Sequence, residues 1–157
     1  MENIPFRLSK RSQHRKKLGL KLYYTDGSVI TDGKKKGRDP GPGGWAVVDV
    51  SAGAVQSGKQ YLATNNEMEL KAVVEAVRMA PKGYPIEVRT DSKYVVDGFR
   101  SESLLKSNRT LWKELEELCA GRDVNVNWVK GHAGDSDNER ADSLAERRAQ
   151  EARAETT

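Results

Sequence analysis

The sequence predicts an α/β domain, a five-stranded mixed sheet in which three antiparallel strands precede crossovers, flanked by helices. Two patterns and their order carry this. Alternation of period two marks five short segments, and spacing of i, i+3, i+4, i+7 marks others, in the order βββαβααβα. The length of 157 residues suits one domain. A chain of this size removes roughly two-thirds of its unfolded surface from water.

Residues 1–19 are basic and aperiodic and read as a flexible arm; 20–152 read as the domain and 153–157 as a tail. Leu20, Leu22 and Tyr24 alternate with polar or edge residues, giving a strand that runs into Asp26-Gly27-Ser28. Residues 31–44, glycine-rich with two prolines and Lys34-Lys35-Lys36, read as a long loop. Strands at about 45–50 and 54–62, parted by Ser51-Ala52-Gly53, complete a meander. Beyond Asn65-Asn66, Leu70, Val73, Val74 and Val77 form the stripe of a helix that ends before Pro81. Ile86, Val88 and Thr90 alternate in a strand closed by Asp91-Ser92, where a short helix starts. Leu111, Leu115 and Leu118 mark a helix over about 109–119, and Val124, Val126 and Trp128 a fifth strand. A loop at 131–136 leads to a last helix near 138–152.

The charge narrows the function classes. Lys and Arg number 27 and Asp and Glu 23, a net +4. Residues 1–38 carry +8 and the remainder −4, so the arm and one loop are basic and the body acidic. Such an arm either meets a polyanion, most often nucleic acid, or is a solvated tail. Cys119 is the one cysteine, which excludes an internal disulfide and a cysteine-rich zinc site. Two histidines leave little for a histidine-based metal site. Apolar runs such as Trp45–Val48 fall far short of the ~20 residues that span a bilayer. With no apolar segment after the N-terminal basic residues, the expectation is a cytoplasmic protein without membrane attachment.

Four acids stand where solubility does not need them. Asp26 continues the apolar register of its strand, Asp91 ends the fourth strand, Glu69 sits early in the first long helix and Asp142 early in the last. Singly, each has a plain structural explanation: a turn former, a helix-dipole partner, a cap, a surface acid. Gathered at one edge they would raise one another's pKa unless cations neutralise them, and hard oxygen ligands suit Mg²⁺ or Mn²⁺.

Six fragments in order resemble the type 1 ribonuclease H family over about residues 20–148. They are Tyr24-Thr25-Asp26-Gly27-Ser28, Pro40–Trp45, Thr64-Asn65-Asn66-Glu67-Met68-Glu69-Leu70, Thr90–Val95, Trp128–Gly134 and Asn138–Asp142. The resemblance implies the ribonuclease H-like fold. It implies an endonuclease that hydrolyses the RNA strand of RNA/DNA hybrids, leaving 5′-phosphate and 3′-hydroxyl ends and serving primer and R-loop removal. It assigns Asp26, Glu69, Asp91 and Asp142 as ligands of two Mg²⁺, with Mn²⁺ a possible substitute and Asp26 bridging. It assigns His132 to proton transfer or product release, with Asn138 orienting it or the nearby water, a role compatible with capping the last helix. Gly27, Ser28, Thr64, Asn65, Asn66, Lys93, Trp112 and Asn138 fall at substrate-binding positions. Asn65 and Asn66 also fit helix caps, and Trp112 fits either a DNA-channel residue or a core tryptophan. No obligate protein partner is implied, and a monomer is expected.

Departures from the family's pattern are specific. Lys93 stands where many relatives have Gln. Residues Val96–Thr110 hold only Arg100, Lys106 and Arg109 as basic residues, so the family's basic handle is absent or cut down. A catalytically dead binding module disagrees with the presence of all four acids and His132. A transposase, integrase or resolvase core generally lacks the Thr-Asn-Asn and Lys-Gly-His-Ala-Gly contexts. The nuclease domain of a reverse transcriptase also carries shortened handles; the basic arm favours a free-standing protein.

Overall fold

In the computed structural model, the structure describes residues 19–31, 39–101, 107–131 and 133–156. β1 (Lys21–Val29), β2 (Gly41–Asp49) and β3 (Ala54–Ala63) form the meander. α1 (Asn65–Met79), β4 (Ile86–Thr90), α2 (Lys93–Arg100), α3 (Arg109–Cys119), β5 (Val124–Trp128) and α4 (Ser136–Glu155) follow. The strand order is β3-β2-β1-β4-β5, so the first strand lies at the centre. It pairs antiparallel with β2 and parallel with β4, which pairs parallel with β5. No helix among the described residues is long and apolar enough to cross a membrane.

Alternation sends side chains to two unlike faces. Tyr23, Val47, Val88 and Val126 meet Met68, Leu70, Val73, Val74 and Val77 of α1, with Phe99 and Leu115 beyond. Each such side chain, fully buried, is worth about 1.5–3 kcal/mol relative to exposure. Tyr24 and Val48 point the other way, onto Ala141 of α4. There the packing is by small residues: Ala141, Ala145, Ala149 and Ala152 are fully buried. A Cβ on Gly44 would lie 2.3 Å from the Ala145 carbonyl and 2.7 Å from the Ala149 amide. Glycine is therefore what lets the helix backbone lie against β2.

Two boundaries and one buried stripe correct the sequence reading. The glycine-rich stretch does not stay a loop to residue 44, because β2 begins at Gly41, and pairing of Gly41 with Ala63, pairing of Gly43 with Val29 and packing of Gly44 against α4 outweigh glycine's weak strand preference. The last helix begins at Ser136 and runs to Glu155, capped by Asp135 and carried onward by its alanine stripe. In α3 the buried line is Trp112, Leu115 and Cys119, with Leu111 and Leu118 at its borders.

Candidate active site

The carboxylates converge because the central strand, its parallel neighbour and two helices end at one place. Thr64 caps α1: its hydroxyl accepts from the Glu67 amide at 3.2 Å, while Glu67 accepts from the Thr64 amide at 3.3 Å. With Thr64 and Glu67 engaged at the cap, Glu69 is turned toward the sheet. Its Oε1 accepts from the Gly27 amide at 2.9 Å. Strand and helix approach so closely there that a Cβ on Gly27 would stand 2.4 Å from the Glu69 amide nitrogen.

Carboxylate oxygens of Asp26, Glu69 and Asp91 lie within 4.8 Å of one another. Asp142 stands outside that triangle but lines the same pocket, together with Gly27, Ser28, Val29, Asn65 and Glu146. No lysine or arginine lines it among the described residues. Asp26 and Glu69 are almost wholly buried, at 3% and 6% exposure, whereas Asp91 and Asp142 are half-buried. Burial first, then the charges of Glu69, Asp91 and Asp142, pushes the Asp26 carboxyl far above the usual carboxylate range. Glu69 is raised too, by burial and then Asp91, with Asp26 and the Gly27 amide opposing. Buried, mutually repelling carboxylates that all offer hard oxygen donors fit one or more divalent cations of the Mg²⁺ kind. Asp26, Glu69 and Asp91 would hold the ion, with Asp142 at its flank.

The other expected site residues divide. Gly27, Ser28 and Asn65 line the pocket; Thr64 and Asn66 are half-buried beside it without lining it. Capping of α1 falls to Thr64, not to Asn65 or Asn66. Asn138 is buried in the first turn of α4, and the cap there is Asp135. Lys93 is exposed, its Nζ 5.1 Å from the centre of the Trp128 ring, and Trp128 Nε1 donates to the Asp91 carbonyl at 3.2 Å. Trp112 is 3% exposed, its ring against Gly98 and its Nε1 donating to the Tyr94 hydroxyl at 3.0 Å. His132, nearly all of the 1–19 arm and the Lys34–Lys36 run lie outside the described residues.

Sequence reasoning missed Glu146 and Trp128. Glu146 follows Asp142 by one helical turn, a spacing that places both on one face and was legible. Trp128 reads as a core residue by alternation, but it is 44% exposed because β5 ends there, beyond the packed helices.

A family model for RNase H matches residues 21–150 of the chain. The ribonuclease H of Zymomonas mobilis is 43% identical over 132 residues, covering 74% of this chain and 84% of that protein. That of Ralstonia nicotianae is 41% identical over 133 residues, covering 75% and 87%. The ribonuclease H of Methylorubrum extorquens is 42% identical over 121 residues, covering 68% of this chain and 53% of its own length. Among solved structures, LC9-RNase H1, a type 1 RNase H with the type 2 active-site motif, superposes with a TM-score of 0.64 at 31% identity, over 83% of this chain and 72% of that one. The fold and pocket are thus those of a nuclease, a hydrolase of phosphodiester bonds. The chain belongs to the ribonuclease H family.

Proposed function

We propose that the chain is an endonuclease that hydrolyses the RNA strand of RNA/DNA hybrids. The observation that carries this reading is the meeting of carboxylate oxygens from β1 (Asp26), α1 (Glu69) and the residue after β4 (Asp91) within 4.8 Å of one another. Asp26, Glu69, Asp91 and Asp142 would hold two Mg²⁺, with Mn²⁺ a possible substitute. When bound, the ions supply activation of water near neutral pH and neutralisation of charge on the departing oxygen. Water's oxygen joins phosphorus as the P–O3′ bond breaks, and the departing oxygen takes up a proton, leaving a 5′-phosphate and a 3′-hydroxyl.

The chain's own groups bind and orient. Asn65 and Ser28, uncharged donors and acceptors on the pocket lining, suit recognition of ribose hydroxyls. Thr64, Asn66, Lys93, Trp112 and Asn138 are the further substrate-binding positions that the family resemblance assigns. His132 moves the proton or aids product release, which suits a group titrating near neutrality. Residues 1–19 add non-specific affinity for the phosphate backbone to the 20–152 domain. The same reading takes the chain to act in the cytoplasm as a monomer, on the primers and R-loops that the family resemblance implies.

The test is cleavage of a labelled hybrid beside duplex RNA and duplex DNA, with Mg²⁺ and with EDTA. The expected result is RNA-strand cleavage of the hybrid alone, and only with metal. Equal cleavage of duplex RNA, or cleavage in EDTA, overturns the reading.

A further inference from the structure

A second set of polar side chains bridges the three elements that carry Asp26, Asp91 and Asp142. Asp135 caps α4, its Oδ1 accepting from the amides of Asp137 at 3.0 Å and Asn138 at 3.3 Å. Its other oxygen, Oδ2, accepts from the Tyr24 hydroxyl at 2.6 Å. That hydroxyl in turn accepts from Arg89 Nη1 at 2.9 Å, and the Arg89 guanidinium lies 5.6 Å from the centre of the Tyr24 ring. Arg89 Nε donates to Glu87 Oε2 at 3.0 Å, which also accepts from Asn127 Nδ2 at 2.9 Å.

The spacing relates this set to the site. Tyr24 precedes Asp26 by two residues on β1, and Arg89 precedes Asp91 by two at the end of β4, so each shares a face with the acid beyond it. Asp135 precedes Asp142 by seven residues, about two helical turns. Ala141, next to Asp142, packs against the Tyr24 ring. The segment between β5 and α4 is tied at its other end by the Val129 amide, which donates to the Thr90 carbonyl at 2.8 Å. Within it, Gly131 backs directly onto Asp91, where a Cβ would stand 2.6 Å from Oδ2. Near Asp142 the buried face of α4 is alanine, which fills space but does not fix rotation or translation along the axis. Other polar ties of the helix, such as Arg148 Nε to Ser57 Oγ at 2.9 Å and the Tyr61 hydroxyl to Glu155 Oε1 at 2.6 Å, lie further along it, on the β3 side.

We propose that Asp135, Tyr24 and Arg89 are positioning residues, a polar clamp that fixes the first turn of α4 against β1 and β4 and so holds Asp142 in register with Asp26 and Asp91. This rests on the assignment of those acids to the metal site. The clamp's three parts have separable chemistry. Tyr24→Phe removes the hydroxyl and keeps the ring. Asp135→Ser keeps a capping oxygen and removes the acceptor for Tyr24.

The experiment measures hybrid cleavage at saturating substrate, KM, melting temperature, and the rise in melting temperature on adding Mg²⁺, for wild type, both single variants and the double variant. Each single variant is expected to lower kcat by about 3- to 30-fold with KM within about twofold, and to need several-fold more Mg²⁺ for the same rise in melting temperature. The double variant should cost no more than the worse single, because both break one link. Wild-type kcat and Mg²⁺ response in both singles overturn the proposal, as do additive losses in the double or losses that track melting temperature alone. Should one single fail to fold, the other decides by the same readings. Inactive wild-type protein would instead overturn the hybrid-cleavage reading, and the Mg²⁺-induced rise in melting temperature still reports on the clamp.

Discussion

The two faces of the sheet hold their helices by different means. On the face of Tyr23, Val88 and Val126, large side chains such as Met68, Leu70, Phe99 and Leu115 make a thick apolar layer. On the face of Tyr24 and Val48, the helix lies on glycine and alanine, and polar links from Asp135 and Arg148 add to them. A thick layer answers a missing methyl group with a cavity and a loss of stability. A thin one has no slack, so an added atom moves the helix. Glu69 comes from the first face and Asp142 from the second. Errors on the first face should therefore register as stability, and errors on the second as site geometry.

Asp26 stands where the faces meet, so its loss tests both at once. Asp26→Asn is expected to lower hybrid cleavage by about 10³-fold or more while hybrid binding persists, read by single-turnover cleavage beside a binding titration. Wild-type turnover would remove Asp26 from the metal site. On the segment leading into the thin face, His132→Ala should lower turnover by roughly 10- to 1000-fold and leave metal dependence intact. Unchanged single- and multiple-turnover rates would make His132 structural.

The sharpest contrast sets Leu115→Ala against Gly44→Ala. Leu115 is fully buried in the thick layer, and its truncation should cost about 2–5 kcal/mol, lowering the melting temperature by about 2–4 °C per kcal/mol with kcat close to wild type. Gly44→Ala should cost about 1–3 kcal/mol yet lower kcat more, because its new methyl group meets the backbone of α4. If the two variants rank the other way in kcat, the contrast between the faces is wrong.

Without metal, the raised pKa values of Asp26 and Glu69 carry a further consequence. Below about pH 4 both folded and unfolded carboxyls are protonated. As pH rises from there, the unfolded chain ionises first, so the folded state binds more protons and loses stability through neutrality. Melting curves in EDTA should show Asp26→Asn gaining on wild type from pH 4 to pH 8, and a pH-independent difference would refute this. The smallest effect belongs to the arm. A variant lacking residues 1–19 should keep its cleavage rate at saturating substrate. It should bind hybrid with a salt slope flatter by about 0.7–0.9 for each phosphate that the arm neutralises. Identical affinity across a salt series would leave the arm without a role in binding.

Most of the element order was legible because periodicity is local: the stripe Leu70, Val73, Val74, Val77 is buried as read. What was not legible depended on neighbours far along the chain. Residues 41–44 read as loop because glycine's place in β2 is justified by partners distant in sequence, Ala63 and Lys59 of β3 and the α4 backbone, as well as Val29. The ends of α4 were hidden because Ser136, Asp137 and residues 153–155 are not buried and carry no apolar period. Within the site, the four acids stood out by register and motif. The partnership of Tyr24 with Asp135, 111 residues apart, left no local trace, since tyrosine in that register reads as an apolar strand residue.

The central place of β1 has a kinetic consequence. It pairs in parallel with β4, and that pairing needs the long excursion through β2, β3 and α1 to close first. Non-local closures of this kind are the slow events of folding. Any species short of the complete topology that has only the meander and α1 holds Asp26 and Glu69 but lacks Asp91 and Asp142. On the proposed assignment of those acids to the metal site, such species would not cleave phosphodiesters. Recovery of cleavage after dilution from denaturant is then expected to follow the docking of α4 and to lag behind the return of secondary structure.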